Sequence, residues 1–198
     1  MADLVLSGNT SGAITISAPS VAGTNTITLP AGTGTVAVQG VSTNIVSGTA
    51  QNSTSGTSID FTSIPSWVKR ITVMFQGVST NGTSNYLIQI GAGSVTTTGY
   101  LGSAGVTNVG SSTTTFTTGF GIYNNNGASN VVHGSMTITL LGSNNWASSS
   151  VFSCSGATPG TMPGAGSLAL GGTLDRVRIT TVNGTDTFDA GSINILYE

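Results

Sequence analysis

His133 and Cys154 are the only histidine and the only cysteine of the chain, and together they supply the residue types of a Cys/His nucleophile pair. Both lie in segments that alternate like strands, where a small buried Cys and a His on a polar face are the commoner arrangement. Asp186 and Asp189 could help to ligate calcium from a loop, yet two carboxylates without EF-hand spacing are thin evidence for a site. Glycoside cleavage needs two acids roughly 5 to 10 Å apart in a groove, and every acid here sits in a terminal segment or beside a base. Gly32-Thr33-Gly34-Thr35-Val36-Ala37 matches the dinucleotide-binding spacing GxGxxA. The helix that should follow is replaced by Val36-Ala37-Val38-Gln39-Gly40, which reads as strand and turn. No GxSxG elbow occurs, and serine is too abundant for any single one to carry information. The expectation is a non-enzymatic protein with no catalytic residue, no metal and no cofactor.

Binding is the more open chemistry. Sugars are held by aromatic platforms beside amides and hydroxyls, and two stretches combine these: Tyr123-Asn124-Asn125-Asn126 and Asn144-Asn145-Trp146. Tyr100, after Thr98-Gly99, is a third candidate glycan contact. The competing reading is that Trp146 and Tyr123 pack at the edge of a sandwich while the Asn runs make turns. The sequons at Asn9, Asn52, Asn81 and Asn183 are expected by chance at this composition, and none is read as glycosylated.

Charge narrows the partners. Four basic residues and a net charge of −2 leave no footprint for nucleic acid, whose binding needs several phosphate contacts by Lys or Arg. Mean hydropathy is positive, but Gly, Ser, Thr and Asn interrupt every apolar run well short of 18 residues, so no membrane insertion is expected. The first residues show neither a basic region nor a sustained apolar one, so no secretory signal is expected. One cysteine excludes an internal disulfide. From Leu4 to Ile59, and again from Ile71 to Leu174, no Asp, Glu, Lys or Arg occurs. Apart from Asp3, the charges form two clusters: Asp60, Lys69 and Arg70, then Asp175, Arg176, Arg178, Asp186, Asp189 and Glu198.

Alternation defines the elements that must position these residues. In residues 1–40 the apolar pairs Leu4/Leu6, Ile14/Ile16, Ile27/Leu29 and Val36/Val38 recur between Gly, Asn, Ser and Pro turns. Each marks a strand with one narrow buried face. Such strands cannot build a core alone, so threefold association about a shared axis is expected, these eight residues being the trimer or capsid contacts. A flexible arm that orders only on docking is the other reading.

Residues 41–56 read as a Ser/Thr/Asn-rich connection with a short strand near Asn44-Ile45-Val46. Residues 57–198 read as the main domain. Residues 58–62 alternate, Ile64-Pro65-Ser66-Trp67 reads as a turn, and Val68 to Gln76 is the strongest strand, with Tyr86 to Ile90 following as its hairpin partner. Further strands are predicted at 113–120, 131–141, 149–154 and 167–170, with a turn at Pro159 to Gly164. Val177 and Ile179, then Ile193, Ile195 and Tyr197, predict two closing strands around Asn183-Gly184. The fold class is all-β, with about eight strands that suit a jelly-roll-like β-sandwich. Because early and late strands adjoin in that topology, Lys69 and Arg70 are expected to approach Asp175, Asp186 or Asp189 and set register.

Three stretches carry a resemblance. TLDRVRITTVNGTDTFDAGSINILYE, which closes the chain, and IPSWVKRITVMFQGVSTNGTSNYLIQIG, from Ile64 to Gly91, resemble the distal domain of bacteriophage virion proteins at the tips of tail fibres and spikes. SGAITISAPSVAGTNTITLPAGTGTVAV is similar to the short repeats of phage fibres, while residues 92–173 match only in texture. The resemblance implies a β-sandwich tip, a homotrimer, a place on the virion surface after synthesis in the host bacterial cytoplasm, and recognition of host surface glycans. It brings no binding motif residue by residue.

With only about 40 residues before the tip, four rungs at ~4.8 Å make a stem of roughly 20 Å. That favours a trimer seated on the major capsid protein or another virion protein as a decoration or cement protein. The alternative is the receptor-binding tip of a tail fibre or tailspike.

Overall fold

The structure is a computed structural model and describes residues 4–7, 11–16, 23–24, 45–108, 110–124, 127–156 and 159–198. The chain divides into two compact units, Met1–Val41 and Ser42–Glu198. In the first unit, β1 (Leu4–Ser7) and β2 (Ala13–Ile16) form an antiparallel ribbon. Its register sets Leu4 opposite Ile16 and Leu6 opposite Ile14. Ile27, Leu29, Val36 and Val38, with the GxGxxA stretch, lie outside the described residues.

The second unit continues with β3 (Val46–Ser47), β4 (Gln51–Asn52), β5 (Ile59–Thr62), β6 (Arg70–Thr80), β7 (Tyr86–Ala92), β8 (Ser94–Val95) and β9 (Leu101–Val106). It closes with β10 (Ser112–Phe116), β11 (Phe120–Ile122), β12 (Val131–Gly142), β13 (Asn145–Ser155), β14 (Gly160–Ala169), β15 (Arg176–Thr181) and β16 (Phe188–Tyr197). The fold is all-β. A nine-stranded sheet runs β10-β9-β14-β13-β12-β6-β16-β3, with β4 also on β16, and a five-stranded sheet runs β11-β7-β15-β5, with β8 on β7. The strand pairs are antiparallel, and the two sheets share one apolar core.

Period-two sequence makes that core. Along β13 every second residue is buried, from Trp146 to Cys154, and β15 buries Val177, Ile179 and Thr181 in the same rhythm. Phe75 joins the layers: its ring meets Phe152 of its own sheet at 5.2 Å and Tyr86 of the facing sheet at 6.0 Å, both edge-on. Burying an aliphatic or phenyl side chain of this size stabilises by about 1.5–3 kcal/mol.

Three expectations about connectivity are corrected. β6 and β7 are not a hairpin, because β6 belongs to the nine-stranded sheet and β7 to the five-stranded one. Residues 81–85 are instead a corner between layers, bound to the parallel corner at 182–187: Asn81 N–H donates to Thr187 O at 3.0 Å, and Val182 N–H to Asn85 O at 2.9 Å. Pro159 to Gly164 does not form one turn, since β14 begins at Gly160 and carries Pro163 opposite Val151. The pairing of β14 with β9 is registered only from Gly164 onward, which leaves Pro163 without a ladder partner on its other side, where its missing N–H is harmless. The run predicted at 113–120 is interrupted, β10 lying in one sheet and β11 in the other. In the connection, where a short strand is predicted near Asn44-Ile45-Val46, β3 begins at Val46, and both it and β4 pair with β16.

Bulges on both sides of β6 bend the nine-stranded sheet. Register shifts between Val132 and Gly134 on β12 and between Ala190 and Ser192 on β16, both opposite Gly77. Gly134 (φ +134°) and Gly191 (φ +91°) take conformations closed to other residues. A Cβ would lie 2.4 Å from Val151 O at the first and 2.3 Å from Gly77 O at the second.

Candidate functional site

The residues singled out for sugar binding are mostly inside. Tyr100 is buried; its hydroxyl donates to Thr96 O at 3.1 Å and accepts from Ile90 N–H at 2.8 Å, and its ring meets Phe120 edge-on at 4.9 Å. Burial pushes the Tyr100 phenol up to about 12, as it does that of Tyr86. Tyr123 and Trp146 are buried as well, the Tyr123 hydroxyl reaching Ser112 Oγ at 3.3 Å. These three rings therefore offer no exposed face. Asn124 is buried beside Asn85 and Asn130, while Asn125 and Asn126 lie outside the described residues. Asn144 and Asn145 build the β12–β13 turn, Asn145 Nδ2 donating to Gly142 O at 3.1 Å.

The structure does not bring His133 and Cys154 together. Cys154 stands opposite Val132 on the inward face of the sheet, and His133, one residue on, is exposed. His133 Nδ1 accepts from Gly77 N–H at 3.2 Å, satisfying an amide that the bulge removes from the ladder. Burial pushes the Cys154 thiol up, away from thiolate chemistry.

The charges converge differently from expectation. Lys69 and Arg70 do not meet Asp175, Asp186 or Asp189. The β6–β16 register sets Ile71 opposite Tyr197, so the start of β6 meets Glu198: Arg70 Nη2 pairs with Glu198 Oε1, and the Lys69 and Arg70 amides donate to Glu198 O. Arg178, opposite Asp60 on β5, grips both Asp60 oxygens at 2.7 and 2.9 Å. Arg176 holds its neighbour Asp175 at 2.7 and 3.1 Å and keeps that carboxyl below the usual carboxylate range, helped by Gly93 N–H. Asp186 accepts from Ser84 N–H at 3.0 Å, whereas Asp189 accepts from Ser79 Oγ, so the two acids serve separate partners. No group of three or more His, Cys, Asp or Glu that could hold a metal occurs among the described residues.

At this charged end lies the most exposed aromatic surface, which the sequence reading passed over as a turn. Val68 N–H donates to Pro65 O at 3.1 Å, closing a turn whose flanks, Ile64 and Val68, are buried. Two buried anchors around one turn leave Trp67 facing solvent, 49% exposed, with its ring 5.9 Å from that of Tyr197. Tyr197 and Ile64 also line a groove of about 370 Å³ between β5, the β3–β4 segment and β16. Ser63, at φ +61°, swings the chain out of β5 into this turn. The usable signal was a tryptophan inside a Pro-containing turn, where a side chain rarely reaches the core. Compared with protein-family models, with curated proteins and with solved structures, the chain matches none.

Proposed function

We propose that the chain is a non-enzymatic structural protein of a bacteriophage particle, a homotrimeric decoration or cement protein that reinforces the shell. The observation that carries this reading is the β1–β2 ribbon, two strands of four residues in a unit distinct from the sandwich. A two-stranded ribbon is marginal in water by itself and calls for a partner: other copies of the chain and the capsid surface. The β10 edge, Ser112–Phe116, supports association too, since it pairs on one side only and carries no charge to keep another chain away. A jelly-roll winding of the sandwich is supported by first strands lying beside last ones, β6 with β16 and β7 with β15, although β12 flanks β6 on its other side. The phage assignment rests on the three resembling stretches.

Copies per particle test the location. On the order of hundreds of copies indicates the shell, whereas a few dozen or fewer indicates a tail fibre or tailspike tip. Particles lacking the protein should lose resistance to heat and osmotic shock, and an unchanged lifetime removes the cement role. Deleting residues 2–38 should abolish both trimer and capsid binding while the sandwich stays folded; a deletion variant that still binds places the contact elsewhere.

A further inference from the structure

We propose that the free edge of β5 takes up an extended, uncharged peptide as an added strand, seated in the groove between β5 and the β3–β4 segment. The inference goes beyond the particle role and needs neither trimer nor shell. Among the described residues β5 pairs with β15 alone, so its other side carries no ladder. The phase of β15 decides which backbone groups are left over. Val182 N–H donates to Asn85 O, so even-numbered residues of β15 turn their backbone groups to β7 and odd-numbered ones to β5. Val177 and Ile179 therefore bond Phe61 and Ile59, and the N–H and C=O groups of Asp60 and Thr62 point away, into the groove. Gln51 agrees with that phase: it reaches across from β4 and gives its amide N–H to Asp60 O at 2.7 Å, where a ligand's backbone N–H would sit.

The groove selects its occupant. Donors and acceptors repeating at every second residue are matched by another extended backbone, the mode by which peptides add to sheet edges. The four residues of β5 give roughly 13 Å of edge at ~3.3 Å each, room for about four ligand residues. Phe61, Ile64 and Ile195, all buried, stand at the base of the groove, so ligand side chains turned inward are small and apolar. Asp60 and Thr62 are exposed, and cross-strand partners share a face, so the ligand residues bonded to them turn outward to water and suit hydroxyls. Asp60 is the one charged residue among the lining residues, and Arg178 holds both its oxygens, which leaves no net charge to attract an acidic or a basic segment. A peptide alternating Val with Thr or Ser meets these constraints.

The test is calorimetric titration of the full chain with acetyl-Ser-Val-Thr-Val-Thr-Ser-amide, against the same peptide N-methylated at both threonines. The expected result is saturable binding of the first and none of the second. Hydrogen exchange at the Asp60 and Thr62 amides should slow at least tenfold when the first peptide is bound. Thr62→Pro removes one groove-facing N–H and leaves the β15 ladder intact, so it should weaken binding about tenfold or more. Gln51→Ala frees Asp60 O and should tighten binding by a smaller factor. The exchange measurement uses the parent chain and decides the matter even where Thr62→Pro does not fold. Failure of the first peptide to bind, equal binding of the N-methylated one, Asp60 and Thr62 amides left unprotected by bound peptide, or parental affinity in a folded Thr62→Pro variant would each overturn the assignment. So would a self-associated form of the chain that Thr62→Pro dissolves, since the edge would then belong to a second copy.

Discussion

The sandwich has a charged end and a charge-free wing, and the two solve the problem of strand register in different ways. In the wing, β12, β13 and β14 follow one another and pair in that order, so each strand finds its partner through a short connection. Ser143 (φ +49°) and Asn144 (φ +60°) both take positive φ, the signature of a type I′ hairpin turn, and that turn, with a register shift between Leu140 and Gly142, aligns β12 with β13. At the charged end β5 pairs with β15 and β6 with β16, partners more than a hundred residues apart that no turn can align. There the ion pairs Asp60–Arg178 and Arg70–Glu198 sit on strands whose slip by one residue would expose the core face. Charge marks these two long-range pairings, whereas the β12–β13–β14 meander carries none.

The comparison breaks most visibly if the wing is not part of the same cooperative core. Phe152→Ala, deep in β13 against Phe75, should cost about 3–5 kcal/mol and keep a single unfolding transition in urea. Two separate transitions would mean that the halves fold independently. Next in size are the bulge glycines, one flanking β6 on each side. Gly134→Ala and Gly191→Ala should each destabilise by about 1–3 kcal/mol, and values within error of zero would show that the bulges relax freely.

The turn sharpens the contrast. Replacing Ser143-Asn144 by Asn-Gly should stabilise by about 0.5–1 kcal/mol in thermal unfolding, because Asn-Gly is the preferred I′ pair; a loss of stability would deny the turn its aligning role. A double-mutant cycle on Asp60→Asn and Arg178→Gln should return a coupling of only about 0–1 kcal/mol that shrinks in salt, both side chains being more than a third exposed. A coupling well above that range would make the pair a source of stability and not a register mark.

The smallest effect concerns pH. The Arg176 hydrogen bonds hold the folded Asp175 carboxyl below its unfolded value, so their stabilisation is complete above the ordinary aspartate range near pH ~4 and is lost as pH falls through the folded value. Asp175→Asn should flatten the acid limb of the stability curve. An unchanged limb would show that other acids govern it.

Legibility followed the same division. Val68 to Gln76 and the two closing strands could be read because strongly apolar residues alternate with polar ones, and β6, β15 and β16 stand at those places. β9 went unseen because Leu-Gly-Ser-Ala-Gly-Val has too little side chain to show a period, and of β14 only the end, inside the strand predicted at 167–170, was legible, because Pro163 and the glycines of its first half signal a turn. At the site, Tyr100, Tyr123 and Trp146 were singled out by composition, since aromatic rings beside amides look alike in sequence whether they cover a core or face water. Trp67 was passed over for the converse reason: exposure belongs to the turn's anchors and not to the tryptophan.

The sequence by itself determined an all-β chain that closes on two strands, because period-two apolar alternation has one economical solution in water. It also settled where charge is scarce. Only the tertiary structure decided which strands neighbour each other, that residues 81–85 cross between sheets instead of closing a hairpin, and that Arg70 meets Glu198. Those outcomes depend on long-range packing of two sheets around Phe75, Tyr86 and Phe152, a property that no local window of residues contains.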